Sequence, residues 1–340
     1  MTIKFDISSL YRRIVATAWQ TAWKHKHLWL FGFFATFAGF GGIYEVLFRT
    51  QDQLINIMPA VDWMRSPFYL IPGAAMFKAL VAFSPNPLFT VMIFLAVIAL
   101  VSAVFIWVIT ISIGALIGSA DVISRGSDAD FAAGVRIGTA GFWRVFGINA
   151  LAKITIACGL LLTGTHLFSL IRDGSYTSGG FFMLSFILFL ALAIVASIVA
   201  VYASMHAVLN NTCFNASLAR GWKTFKESWL VSLEMAAVLL IVNLLMAVLA
   251  VLVLLVMSVP AIFLFMLASA ANSTTLLLSL MTAFAVMLLI VLVIYGSFMT
   301  TFQVTSWTLL WKELAEKRPR ARLLRLSDWL AARCGKCKPS

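Results

Sequence analysis

Hydrophobic and polar positions along this chain fall into long blocks. Leu88 to Gly118, Phe181 to Leu209 and Ser273 to Leu310 contain no Asp, Glu, Lys or Arg. Each block exceeds the roughly 20 residues that an α-helix needs to cross a hydrocarbon core. With three further apolar stretches they predict an all-α transmembrane bundle of about six spans. These lie at 28–48, 88–118, 143–170, 181–209, 229–258 and 276–311. An amphipathic segment, 1–27, precedes them, a larger loop, 49–87, follows the first, and a basic tail, 312–340, follows the last.

Three stretches before spans share a pattern. SLYRRIVATAWQTAWKHK, FAAGVRIGTAG and ASLARGWKTFKE are basic, partly apolar and helical in spacing. Each is followed by a Trp at the start of a span: Trp29, Trp143 and Trp229. The chain therefore reads as three repeats of an amphipathic helix plus a transmembrane hairpin. The plainer reading is that indoles simply collect at membrane interfaces. Loop 49–87 mixes Trp63, Phe68, Tyr69 and Phe77 with five prolines. That composition suits a structure lying on the membrane surface better than a ligand-binding lid.

Composition agrees with the pattern. Hydrophobic residues make up 62% of the chain and charged residues 11%, against about 25% charged in a soluble domain. One soluble core of this size cannot bury so much apolar surface. The net charge of +12 does not point to nucleic acid, because the cations gather just outside the apolar blocks. Twenty Lys and Arg flank one side of the predicted bundle: the N-terminal segment, the connections holding Arg125, Arg136, Arg144, Arg220, Lys223 and Lys226, and the tail. Arg49, Arg65, Lys78 and Arg172 flank the other. By the positive-inside rule both termini are cytoplasmic, and the first span is an uncleaved signal anchor in what reads as a bacterial inner membrane. Cys158, Cys213, Cys334 and Cys337 then stay reduced.

Candidate chemistry is sparse. No Walker loop, GxSxG, HExxH or intramembrane acidic pair is present, and nothing implies a cofactor. The cluster of Asp121, Asp128 and Asp130 near Arg125 lacks calcium-loop order and reads as a helix boundary, with Asp128 as the N-cap. Cys334 and Cys337 form a lone CxxC that His25 and His27 would complete as a zinc set. The histidines read more simply as juxtamembrane residues, so no metal site is assigned. Intramembrane polar groups carry more weight, since burying charge in a bilayer is costly. Lys153 lies ten residues past Trp143 and Glu234 five past Trp229. A Lys153–Glu234 pair would neutralise both, as a clamp between helices or as part of a substrate relay. Asn149 and Asn243 read as interhelical hydrogen-bonding groups, and Gln303 as facing the bundle within YGSFMTTFQVTSWT. Gly114 and Gly118 form a GxxxG that suggests close packing. Past Pro319 the tail places Arg320, Arg322, Arg325 and Arg333 among leucines and Trp329 at helical spacing, the composition of a helix lying in an anionic leaflet.

WKHKHLWLFGFFATF, GFWRVFGIN and TFQVTSWTLLWKELAEKR resemble a group of bacterial six-helix membrane proteins related to the membrane domain beside some glycerophosphodiester phosphodiesterases. The resemblance covers most of the chain and implies the six-helix architecture. It carries over no catalytic residue, because no phosphodiesterase domain is attached. The reading that follows is a non-enzymatic membrane protein engaging anionic lipids through its amphipathic segments, as an organiser or scaffold. A transporter or lipid flippase using the Lys153, Glu234 and Gln303 region is the alternative, and a hydrated cavity open to one side would favour it. The topology is directly testable. A cysteine introduced in loop 49–87 or at Asp173 should react with an impermeant thiol reagent on intact cells, and one at Arg136, Lys223 or Lys336 should not. Labelling at Arg136 from outside would overturn the six-span arrangement.

Overall fold

The structure is a computed structural model and describes residues 7–39, 86–173, 176–270 and 274–317. Loop 49–87 up to residue 85, the end of the predicted first span and the tail with Arg320, Arg322, Arg325, Arg333, Cys334 and Cys337 lie outside them. Eight helices and no strand are found among the described residues. They are α1 (Ile7–Lys24), α2 (Leu28–Gly39), α3 (Pro87–Ser124), α4 (Phe131–Ala140), α5 (Phe142–Asp173), α6 (Tyr176–Leu209), α7 (Phe214–Ala270) and α8 (Thr274–Lys317). Helices α3, α5, α6, α7 and α8 are each long and apolar enough to span a membrane, and α2 is the described part of the predicted first span.

Most of these helices outrun the apolar blocks that predict them. Helix α3 runs six residues past Gly118, until the left-handed Gly126 (φ +83°) turns the chain. Helix α8 continues to Lys317, because α1 packs alongside its last turns. The span expected at 229–258 reaches Ala270, and α7 also contains the amphipathic segment before it. The two parts meet at Ser228, whose φ of −130° and ψ of 25° break the helix one residue before Trp229. Hydropathy marks what lipid covers, whereas helix ends are set by turn residues and tertiary contacts.

The three segments before the spans are helical, and one face of each is buried on the bundle. On α1, Tyr11, Ile14, Ala18 and Ala22 recur at three- and four-residue spacing and join one core with Phe298, Phe302, Leu310 and Leu314 of α8. Helix α4 folds back on the end of α3, and the first segment of α7 folds back on the end of α6. Each amphipathic helix carries two buried small residues four apart: Ala18 and Ala22, Gly134 and Gly138, Ser217 and Gly221. Four residues is about one turn, so each pair forms a flat stripe that lets two backbones approach. A Cβ on Gly138 would overlap the carbonyl of Ile111, and one on Gly221 would lie 2.8 Å from the amide nitrogen of Ala203. Gly114 and Gly118 do pack closely, against Gly138 and Ile137 of α4. Units α8–α1–α2, α3–α4–α5 and α6–α7 thus repeat one arrangement, with the first helix of the chain docking on the last.

Burial concentrates at this basic end. Ile111 to Asp121 on α3, Ile198 to Ala207 on α6 and Ser297 to Leu314 on α8 hold most of the core. Toward the other end, Leu88 to Val104 and Leu240 to Leu267 present mainly exposed apolar side chains. Lipid is the solvent such surface requires. Close approach at the basic end is therefore predicted to limit stability. Gly138→Val and Gly221→Val should each cost about 1–3 kcal/mol, the usual range for overpacking, at its upper end because backbone is struck. Gly164→Ala and Gly180→Ala fill open space and should leave the thermal unfolding midpoint in detergent unchanged or higher.

Candidate functional site

The surface of the basic end is built from what the small-residue stripes leave outside. With their inner faces on the bundle, α1, α4 and the first segment of α7 turn cations and indoles outward. Trp23, Trp222 and Trp229 are more than half exposed or nearly so, and Trp143 is 77% exposed. Lys24, Lys26, Arg136, Lys223 and Lys226 are exposed beside them. Indole at an apolar boundary with ammonium just beyond it is the side-chain order of a membrane interface. Arg144 is instead half-buried, donating to the carbonyls of Ala140 (3.0 Å) and Thr212 (3.3 Å) and tying α5 to the turn before α7.

Beneath this surface lies an ionic cluster that the sequence reading did not assign. Asp121 is buried near the end of α3, and its carboxylate meets Lys312 at 3.1 Å and Arg125 at 2.7 Å. Lys312 also donates to Ser124 Oγ at 2.6 Å. Arg13 of α1 pairs with Glu313 at 2.6 Å. Arg13, Thr17, Ser124, Lys312, Glu313 and Glu316 border a cleft of about 230 Å³. Asp121 and Lys312 are the first charges beyond two of the longest apolar blocks, which marks each as juxtamembrane but does not pair them. Asp128 is not the N-cap of α4. That place falls to Asp130, in extended backbone (φ −80°, ψ 148°) and without a side-chain cap hydrogen bond.

The predicted intramembrane residues differ in setting. Lys153 is exposed on α5 and Glu234 half-buried on α7, where its carboxylate accepts a 2.7 Å hydrogen bond from the Tyr11 hydroxyl. Asn149 does not bridge helices. Its amide donates to the Val145 carbonyl one turn back at 2.9 Å, within its own helix. Asn243 and Gln303 are half-buried, and their side chains hydrogen-bond no described residue. Threonines provide interhelical bonds between α2 and α8. Thr36 Oγ1 lies 2.8 Å from Thr300 Oγ1 and 3.1 Å from the Gly296 carbonyl, and Thr301 donates to the Leu28 carbonyl at 3.2 Å. Ser297, Ser306 and Thr308 donate to carbonyls four residues back. Most of the polar run of the last span is thus absorbed by helix packing, with Thr305 Oγ1 buried and unpartnered.

Two histidines mark the junctions. His206, at the end of α6, lies 3.1 Å from Thr224 Oγ1 and 3.5 Å from the Trp311 indole nitrogen, linking three helices. His25 sits in the turn between α1 and α2 with its ring edge-on to His27 at 5.7 Å. Burial, then the charges of His27 and Lys24, hold it below the usual imidazole range, and Asp128 opposes them. No metal-ligating group of three or more His, Cys, Asp or Glu exists among the described residues.

The five long apolar helices and the lipid-compatible surface around them define an integral membrane protein. No family model, no curated protein and no solved structure matches the chain. Its ionic cluster makes a prediction of its own. Asp121→Asn should strand a mostly buried ammonium on Lys312 and lower stability by roughly 1–3 kcal/mol. That is less than the ~3–5 kcal/mol for a fully buried pair, because the Lys312 side chain is 21% exposed. Adding Lys312→Met should recover part of the loss in a detergent melt. Strictly additive losses would mean the two residues are not coupled.

Proposed function

We propose that this is a non-enzymatic protein of a bacterial inner membrane, with both termini cytoplasmic. In this reading its basic end engages anionic lipid head groups and the protein acts as a membrane organiser or scaffold. The observation that carries it is the pairing of exposed indoles with exposed cations on helices whose apolar faces are already occupied. Such helices cannot insert as free amphipathic anchors. They can hold a fixed ring of Trp and Lys at the head-group level, attracting anionic lipid by about 1 kcal/mol per cation near the surface. The tail with Arg320, Arg322, Arg325 and Arg333 adds to the same electrostatic attraction on sequence grounds. The alternative, a transporter, draws on Lys153, Glu234 and Gln303. The closure of the last span's hydroxyls on carbonyls and on Thr36 favours a packed bundle over a polar pathway.

The test is thermal unfolding in lipid nanodiscs. Stability should be higher in phosphatidylglycerol than in phosphatidylcholine, and the gap should shrink as salt rises, since exposed charges are screened within a Debye length of ~10 Å at 0.1 M. The variant Lys24→Gln/Lys26→Gln/Lys223→Gln/Lys226→Gln should lose most of the gap. Equal stability of the unaltered protein in both lipids would end this reading.

A further inference from the structure

One patch of the basic end is shaped as well as charged. On α1, Trp19, Gln20, Trp23 and Lys24 line an open groove of about 570 Å³. Its walls are indoles one helical turn apart, and both are held from behind. Trp19 stands edge-on to Phe298 (4.8 Å) and Phe302 (5.8 Å), and Trp23 edge-on to Phe298 (5.8 Å) and Trp29 (6.1 Å). The Trp29 indole nitrogen in turn donates to the Ala22 carbonyl at 2.7 Å. Trp23 is nonetheless 59% exposed, so a large apolar ring is fixed in place and left uncovered. Trp29 is the second residue of α2, which puts the groove where the apolar layer begins. Lys24 and Lys26 sit exposed just beyond it.

We propose that this groove binds one anionic phospholipid, with its phosphate at Lys24 and the Gln20 amide and the start of an acyl chain against Trp19 and Trp23. The assignment rests on the reading that the basic end faces an anionic leaflet, and adds to it a discrete site and a headgroup preference. Charge complementarity selects the occupant. The chain's own tail, 318–340, is the other apolar candidate, and it carries Arg320, Arg322, Arg325 and Arg333 toward Lys24 and Lys26. A lipid phosphate brings the opposite charge and an apolar chain on one molecule, matching both halves of the groove.

The experiment uses the full chain carrying Trp23→p-benzoylphenylalanine, in nanodiscs of equimolar phosphatidylglycerol and phosphatidylcholine, with photo-adducts read by mass spectrometry. One lysine near the surface corresponds to about a fivefold preference. Adducts should therefore favour phosphatidylglycerol about fivefold, and Lys24→Gln should return them to the bulk ratio. Gln20→p-benzoylphenylalanine should repeat the result if position 23 tolerates the probe poorly. Leu249→p-benzoylphenylalanine, on the exposed apolar length of α7, should report the bulk ratio throughout. A bulk ratio at both groove positions, or an adduct to the tail, overturns the site. If the groove fails while phosphatidylglycerol still stabilises the protein, the broader lipid reading stands without it. If both fail, both are withdrawn.

Discussion

Helix pairs that meet backbone to backbone set the terms for everything else in this protein. Inside a bilayer, lipid tails solvate apolar side chains as well as neighbouring helices do, so association depends on close contact and on polar bonds. Gly138 against Ile111 and Gly221 against Ala203 provide that contact, with backbones near enough that no side chain fits between. The hydroxyl bonds of Thr36 and Thr301 provide the polar part between α2 and α8. At the basic end the amphipathic helices add what the membrane interior lacks, a true hydrophobic effect from covering apolar faces such as that of α1. Core packing therefore collects there, while the far lengths of the helices remain lipid-facing.

That arrangement also decides what the basic end can offer to a partner. A free amphipathic helix presents its apolar face to lipid and its charges to water. Here Tyr11, Ile14, Ala18 and Ala22 are already covered, so α1 has only its flank, with Trp23 and Lys24, left to offer a partner. The first segment of α7 likewise leaves Trp222 and Lys223 exposed. The Trp23 ring is held by Trp29 and Phe298, so the entropy of ordering it is met on folding, before any partner arrives.

The sequence was most legible where it was least subtle. Long apolar blocks fixed the helical class and five of the spans, and the Trp before each span located the three amphipathic units. The break at Ser228 was not legible, because nothing in FKESWL signals that the helix stops and restarts. Small residues at Ala18 and Ala22 or Ser217 and Gly221 are too common in membrane chains to stand out until a partner is seen. The ionic cluster was missed for a different reason. Asp121, Arg125 and Lys312 are ordinary juxtamembrane residues taken singly, and only the docking of α3 on α8 buries Asp121 and adds Lys312 to the Arg125 it meets one turn away. Asn149 shows the opposite error, since a polar residue in a span can satisfy itself on its own helix.

The repeat has one unequal joint, and its contacts reflect that. Helices α3 and α4 are joined by six residues, 125–130, and α6 meets α7 across a similarly short turn. The equivalent joint between α8 and α1 closes a separation of 300 residues, as between Arg13 and Glu313. Each doubling of a flexible loop costs about 0.6 kcal/mol, and 300 against 6 is between five and six doublings, or roughly 3 kcal/mol. Prior folding of the intervening helices reduces that figure without removing it. This joint is also reinforced by side chains of α1: the Arg13–Glu313 pair and the ring contacts of Trp19 with Phe298 and Phe302 and of Trp23 with Phe298. Aromatic pairs contribute roughly 0.5–1.5 kcal/mol each beyond area burial, so these contacts are of the same order as the longer closure. The rings that secure the joint are the same ones that wall the groove, so the groove can form only once the first and last helices of the chain have met.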